Sequence, residues 1–231
     1  MIHKFQFHFI ELVIMNYIIF FLLPYSAFCY IAAVVEYSPL HDTSWTPYMI
    51  LLKNLHQYEL IIAKAADSEV DIIVFPEYGL TTLHLPESRK EAELYLQEIP
   101  DPLLQEVSCN KPSASWLINK LSCIAKNHKM YVSVNLGEKL SCSLESTLCP
   151  RDGRHHYNTN IVFSRRGELI ARYRKSHLYN EPMFESLLNP EFVSFTTDFG
   201  VTFGIIVCFD IMFHDPLLTA ISKLNISTVI F

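Results

Sequence analysis

A short, largely apolar run, Val201-Thr-Phe-Gly-Ile-Ile-Val207, stops at a single cysteine, Cys208. Such a run reads as a buried strand of an α/β sheet. Polar residues follow at Asp210, His214 and Asp215, and Asp215-Pro216 carries a helix start, with Asp as N-cap and Pro at the first helical position. A strand that ends at a thiol just ahead of a helix places that thiol at the carboxyl end of a sheet, where open α/β folds gather their chemistry. Two readings stand on this stretch alone: a nucleophile, or a buried cysteine that packs as a small hydrophobe.

The same pattern recurs along the chain. Tyr30 to Tyr37 and Asp71 to Phe75 read as buried strands, the second ending at Pro76-Glu77-Tyr78-Gly79. Between them, Thr46-Pro47 opens a helix whose Leu51, Leu55, Tyr58, Ile62 and Ala65 share one face. Glu87 to Gln97 reads as a further helix, Ile99-Pro-Asp-Pro102 as a breaker, and Trp116 to Ala125 as an amphipathic helix before a strand at Met130 to Asn135. Glu138 to His156 reads as an exposed excursion. Asn158 to Ser164, the turn at Arg165-Arg-Gly167 and Glu168 to Tyr173 make a hairpin. Phe192 to Thr197 is a strand, Leu217 to Leu224 a helix, and Ile226 to Phe231 a last strand. Strands alternating with helices, plus one hairpin, predict a mixed α/β sheet in one domain. The final strand has no layer after it, so the sequence reads as a fragment.

With 231 residues, 50% of them apolar and 18% charged, the chain is a globular domain with a real core. A net charge of −6 without a basic run longer than Arg172-Tyr-Arg-Lys175 excludes nucleic acid as the expected partner. Residues 1–29 read as a secretory signal peptide: one firm charge at Lys4, a dense apolar middle from Tyr17 to Leu23, and small residues near Ala27 and Cys29. The competing reading is an uncleaved signal anchor, in which Glu11 would be costly inside lipid. Cleavage near Tyr30 leaves residues 30–231 as the mature domain. Setting Cys29 and Cys208 aside, Cys109, Cys123, Cys142 and Cys149 remain, an even number that suits two disulfides in an exported chain. Local pairing is the simplest of three connectivities. No Cys-x-x-Cys pair is present, and His155 and His156 are adjacent rather than spaced as ligands, so neither a metal nor a cofactor is expected. Asn225-Ile-Ser227 is the sole glycosylation sequon.

Three strand ends carry reactive residues: Glu77, Lys175 and Cys208. Each taken singly has an inert reading. A glutamate packed behind five apolar residues needs a partner, however, and Lys175 can supply it. Together they make a thiol nucleophile, a general base and a cation that favours the thiolate and stabilises an oxyanion. The backbone N–H of Phe209 is the other oxyanion donor expected. A papain-like Cys/His arrangement would instead use His177 or His214, without a signature around either.

The segments Phe75-Pro-Glu-Tyr-Gly79, Arg172-Tyr-Arg-Lys-Ser-His-Leu-Tyr179 and Val207-Cys-Phe-Asp-Ile-Met-Phe-His-Asp-Pro216 resemble the nitrilase (carbon–nitrogen hydrolase) superfamily, and within it the biotinidase and vanin (pantetheinase) branch. Ile99-Pro-Asp-Pro102 and Cys149 to Asn160 point to the same branch. The resemblance implies an αββα sandwich, incomplete here at its C-terminus, with Glu77 as base, Lys175 as electrostatic stabiliser and Cys208 as nucleophile. Glu181 matches a second glutamate found in many members. It further implies a secreted or surface-anchored, disulfide-bonded and glycosylated hydrolase of small-molecule secondary amides, either pantetheine-like or biotinyl. A membrane contact would come only through the leader or a lipid anchor not present in this chain. One departure stands out. Relatives in this branch usually carry Asp after the motif Glu, where this chain has Tyr78, and Thr82-Leu-His-Leu85 replaces a Gly-Phe-Asn-Phe-like stretch. The alternative reading is a catalytically silent binding protein on the same scaffold.

Overall fold

The computed structural model describes residues 2–6, 30–104, 109 and 115–231, the first five by their backbone path. Six strands form one sheet in the spatial order β1 (Ile2–Gln6), β2 (Ile31–Val35), β3 (Ile72–Val74), β4 (Tyr131–Ser141), β5 (Arg154–Phe163) and β6 (Leu169–Arg174). β2, β3 and β4 run parallel, and β1, β5 and β6 join antiparallel. A second sheet holds β7 (Ser194–Thr196), β8 (Thr202–Ile205) and β9 (Thr228–Ile230), with β8 antiparallel to β7 and parallel to β9. Apart from the edge strand β1, the leader expected over residues 1–29 lies outside the described residues.

Helix α1 (Pro47–Ala66) starts where the sequence places it: Thr46 Oγ1 accepts from Met49 N at 3.3 Å, and Pro47 needs no donor in the first turn. A single turn, α2 (Arg89–Ala92), follows β3, and α3 (Trp116–His128) precedes β4. α1 and α3 bury Leu51, Leu55, Tyr58, Ile62, Leu117 and Leu121 against one face of the large sheet. Each such side chain contributes about 1.5–3 kcal/mol relative to exposure. The other face, through Ile72, Tyr131, Val162 and Tyr173, packs on Phe195, Phe203, Ile205 and Val207 of the small sheet. α4 (Leu217–Leu224) covers the outer side of β8 with its buried Ala220. The layers are therefore helix, sheet, sheet, helix, the αββα order expected. Among the described residues, no helix is long and apolar enough to cross a membrane.

The local disulfide pairing is present, Cys109 with Cys123 and Cys142 with Cys149, at Cα separations of 4.7 and 5.7 Å, within the span a disulfide bridges. Three other expectations change. The segment Glu138 to His156 is not one exposed loop: β4 runs on to Ser141 and β5 starts at Arg154, pairing Glu138 with Tyr157 and Ser141 with Arg154. Glu138 is fully buried because Arg174 of β6 reaches it with Nη2 at 2.6 Å and Nε at 2.9 Å, while Thr159 Oγ1 donates at 2.8 Å. The helix expected from Glu87 to Gln97 shrinks to α2 and a 3-10 turn at Glu93–Tyr95. Gln97 then bridges to Glu138 instead. α4 begins at Leu217, with Pro216 in the cap position and the Asp215 carboxylate accepting from Thr219 Oγ1 one turn on.

A buried polar residue of α1 ties down the carboxyl ends of the parallel strands. Asn54 Oδ1 accepts from Tyr37 Oη at 2.6 Å and Leu40 N at 2.7 Å, and its Nδ2 donates to the carbonyls of Leu40, Leu80 and Thr81 at 3.1–3.2 Å. It joins the loops that follow β2 and β3. Asn54→Ala leaves these groups buried without a partner, so unfolding in urea should show a loss of about 1–3 kcal/mol. Asn54→Asp should recover little, because a carboxylate cannot donate to the three carbonyls.

Candidate active site

Glu77, Lys175 and Cys208 each lie just past a strand, and the fold turns those strand ends toward one cleft. β3 ends in the turn Pro76 to Gly79, closed by Gly79 N donating to Pro76 O at 3.3 Å. Gly79 is required there, since a Cβ would come within 2.0 Å of the Tyr58 hydroxyl. β6 ends one residue before Lys175, whose N donates to Asn158 O at 2.8 Å. β8 leads through Ile206 and Val207 to Cys208, the first residue of a 3-10 turn, Cys208–Met212. The cleft has a volume of about 440 Å³ and is lined by all three, by Glu181, and by Tyr78, Leu83, Leu85, Tyr179 and Met183 among others.

Lys175 is the centre of the cluster. Its side chain is 1% exposed, and its Nζ lies 2.7 Å from Glu77 Oε1 and 2.5 Å from Glu181 Oε1. Burial opposes its charge, but the hydrogen bonds and the charges of the two glutamates outweigh it and hold the ammonium above its ordinary range. Two of the three ammonium hydrogens are thus engaged, and one remains for a ligand. Glu181 is opposed by burial in the same way, yet donors from Lys175, Tyr78 and Asn158 keep it below the usual carboxylate range.

Cys208 is free, opens to the cleft and sits at φ 47°. Left-handed backbone in a non-glycine residue carries strain of about 1–2 kcal/mol, which its surroundings must offset. Asp210 does so. This fully buried carboxylate accepts from Val207 N at 3.2 Å, Tyr173 Oη at 2.7 Å and His177 N at 2.8 Å, and Asp210 N donates to Val207 O at 3.1 Å. The turn that presents the thiol is pinned from β6 and from the loop after it.

The neighbouring lysine favours the thiolate, but it is not the strongest influence on the thiol. Burial pushes its pKa up, the Glu77 charge and hydrogen bond push the same way, and Lys175 only partly opposes them. Lys175 is turned toward the two carboxylates, so much of its field is already compensated. The histidines of the alternative arrangement stand elsewhere. His177 Nδ1 lies 2.9 Å from Asp210 Oδ1 and its ring stacks on Phe213 at 3.7 Å, while His214 pairs with Asp215 at the surface. Phe209 follows Cys208 in the first turn of the 3-10 segment, where backbone N–H groups lack intrahelical acceptors. Asn225 is exposed at the left-handed end of α4, with φ 50°.

Two site residues escaped the sequence reading. Asn158, on buried β5, donates to Glu77 Oε1 at 2.7 Å and Glu181 Oε2 at 2.8 Å. Asn135 of β4 orients it by donating to its Oδ1 at 2.6 Å. The available signal was the run Asn158-Thr-Asn160 directly before the apolar Ile161-Val-Phe163, polar amides that a buried sheet tolerates only with partners.

The model of the carbon–nitrogen hydrolase family matches residues 31–229. A pantetheinase from Bos taurus is 39% identical over 186 residues, which is 79% of this chain and 36% of that relative. The Homo sapiens pantetheinase is 38% identical over 205 residues, 87% of this chain and 39% of its own length. A biotinidase from Takifugu rubripes is 38% identical over 187 residues, 78% and 36% of the two chains. The chain thus spans under two fifths of the length of these relatives. Among solved structures, Saccharomyces cerevisiae Nit3, a member of branch 10 of the nitrilase superfamily, superposes with a TM-score of 0.61 at 22% identity over 83% of this chain and 60% of that one. An amidase from Nesterenkonia sp. gives 0.56 at 16% identity, over 86% and 62% of the two chains. With a family model running from β2 to β9, and the fold of two solved members in the same layers, this chain belongs to the carbon–nitrogen hydrolase family.

Proposed function

We propose that this chain carries the active site of a secreted amidohydrolase that cleaves a linear secondary amide through a thioester on Cys208. The observation that carries the reading is the meeting, in one cleft, of a free thiol, a buried ammonium and a carboxylate with an oxygen to spare. Relatives named pantetheinase and biotinidase support a pantetheine-like or biotinyl amide as substrate. The cleft suits a mainly uncharged chain, since Tyr78, Leu83, Leu85 and Met183 line its walls. Two disulfides and an exposed sequon at Asn225 support an oxidising, exported setting.

In the proposed reaction the Cys208 sulfur attacks the amide carbon as Glu77 takes the thiol proton. The carbonyl oxygen becomes an oxyanion, met by the remaining N–H of Lys175 and by Phe209 N–H. Glu77 returns the proton to the amide nitrogen, the C–N bond breaks and the amine departs, leaving an acyl thioester. Water then attacks the thioester carbon and gives its proton to Glu77. The C–S bond breaks, and the proton passes to the cysteine sulfur. The sum is amide plus water giving acid plus amine. A thiol that rests protonated needs this base, because too little thiolate exists before substrate binds.

In the full-length protein, Cys208→Ala should lower kcat/KM for pantetheine-type amides by on the order of 10³-fold or more. Mass spectrometry of quenched wild-type turnover should find the acyl group on Cys208. Turnover that survives Cys208→Ala sinks the reading.

Glu77→Gln separates base from field. It removes the charge and the acceptor that raise the thiol pKa, so iodoacetamide should label Cys208 faster at neutral pH while amide turnover is lost. Lys175→Met should slow labelling, because the opposing positive charge has gone. Equal labelling rates in all three proteins would contradict these assignments.

A further inference from the structure

We infer that Tyr78 is a positioning residue that makes the two glutamates of the site unequal, committing Glu181 to the role of permanent anion and leaving Glu77 free to carry the proton. The inference rests on the amidohydrolase reading and adds a residue to it. Lys175 and Asn158 do not distinguish the two carboxylates, because Lys175 Nζ donates to Oε1 of both and Asn158 Nδ2 donates to one oxygen of each. The Tyr78 hydroxyl does distinguish them. It donates to Glu181 Oε2 and to no atom of Glu77. With Tyr179 N donating to Glu181 Oε1 at 3.1 Å, Glu181 has four donors, enough to fill both of its oxygens. Protonating it would break one of these bonds. Glu77 accepts from Lys175 and Asn158 on Oε1 alone, and among the described residues its other oxygen has no nitrogen donor. That oxygen is the one open to a thiol or a water.

The backbone at Tyr78 is bent to this purpose. Its φ is 61°, a left-handed conformation uncommon in a residue with a bulky side chain. Tyr78 N is held by Asn135 Oδ1 at 3.0 Å, and the ring stacks over Phe184 at 6.4 Å. The bend aims the hydroxyl inward, over the cluster. Burial, and then the Glu181 charge, push the phenol far above its ordinary range, so Tyr78 remains a donor at any working pH. A carboxylic acid there would be a third acid beside Glu181, where tyrosine supplies a neutral donor.

The titratable groups around Glu181 are Lys175 after β6, Glu77 and Tyr78 after β3, Cys208 after β8, and Tyr179 and Glu87 on the cleft wall. Removing the Tyr78 donor leaves burial opposed by fewer bonds, so the pKa of Glu181 rises. Protonated Glu181 releases Lys175 toward Glu77 and takes a negative charge away from the thiol.

The test is Tyr78→Phe in the full-length protein, with kcat and KM for a pantetheine-type amide followed across pH. The ring stays and one donor goes. Expected are a kcat lower by roughly 10- to 100-fold, as for loss of a hydrogen bond to a charged group, little change in KM, and an acid limb of the kcat profile moved to higher pH. In a Glu181→Gln background the same substitution should leave the acid limb where it is, because the group it tunes no longer titrates. A Tyr78→Phe enzyme with the wild-type rate and profile, or one whose whole effect falls on KM, overturns the inference. A wild-type protein without amide turnover would sink the amidohydrolase reading instead. Iodoacetamide labelling of Cys208 then still decides on Tyr78: labelling at neutral pH should be faster in Tyr78→Phe than in wild type, and unchanged rates at every pH would refute its role.

Discussion

An ammonium buried between two carboxylates is the interaction on which the site depends. Lys175 is almost without solvent, and neither glutamate alone would balance the cost of removing its charge from water. With both, the cluster carries one net negative charge, and that charge must in turn be held by neutral donors. Asn158, Tyr78 and the backbone of Tyr179 serve this purpose. Asn158 lies within β5, Tyr78 in the turn after β3 and Tyr179 in the segment after β6, so the long β4–β5 hairpin, that turn and that segment are locked together by the same few hydrogen bonds. Asn135 extends the lock into β4 by accepting from Tyr78 N and donating to Asn158 Oδ1.

A second buried carboxylate works on the opposite wall. Asp210 fixes the turn that carries Cys208 by gathering donors from Val207, Tyr173 and His177. The two systems share the segment Tyr173 to His177, which binds Asp210 at both ends and carries Lys175 between them. One sets the charge that the thiol experiences, and the other sets where the thiol is. This division explains why the thiol stays protonated beside a lysine. The Lys175 field is drawn toward its carboxylates, while burial and Glu77 act on sulfur directly. In the proposed reaction this balance calls for general-base assistance, because attack would be coupled to loss of the proton.

Much of the architecture was legible in the chain itself. The apolar runs ending at Phe75 and Val207 fall on strands because short, largely apolar stretches suit strands buried on both faces of a sheet, and the hairpin read from Asn158 to Tyr173 forms around its Arg165-Arg-Gly167 turn. Thr46-Pro47 marks the start of α1 because capping is local chemistry. The disulfide partners are neighbours in sequence, and the simplest pairing is the one formed. The segments least well read are those whose partners lie far along the chain. Glu138 looked like a loop residue until Arg174, 36 residues on, neutralised it inside the sheet. The helix expected after Glu87 is cut short where Gln97 pairs with the backbone of Gly137 and Lys139 on β4.

For the site, residue types and their positions at strand ends were enough to single out Glu77, Lys175 and Cys208, since a thiol, a base and a cation make chemical sense only together. The sequence by itself determined that set, along with the strands that carry it. Only the tertiary structure decided how the charges are shared: that Lys175 lies between two glutamates, that Asn158 touches both, that Tyr78 touches one, and that the thiol is held as a thiol. The physical reason is the same in each case. A pKa and a hydrogen bond depend on distances of a few ångströms between residues that may be a hundred positions apart, as Tyr78 and Glu181 are, and no local pattern in the chain encodes such a distance.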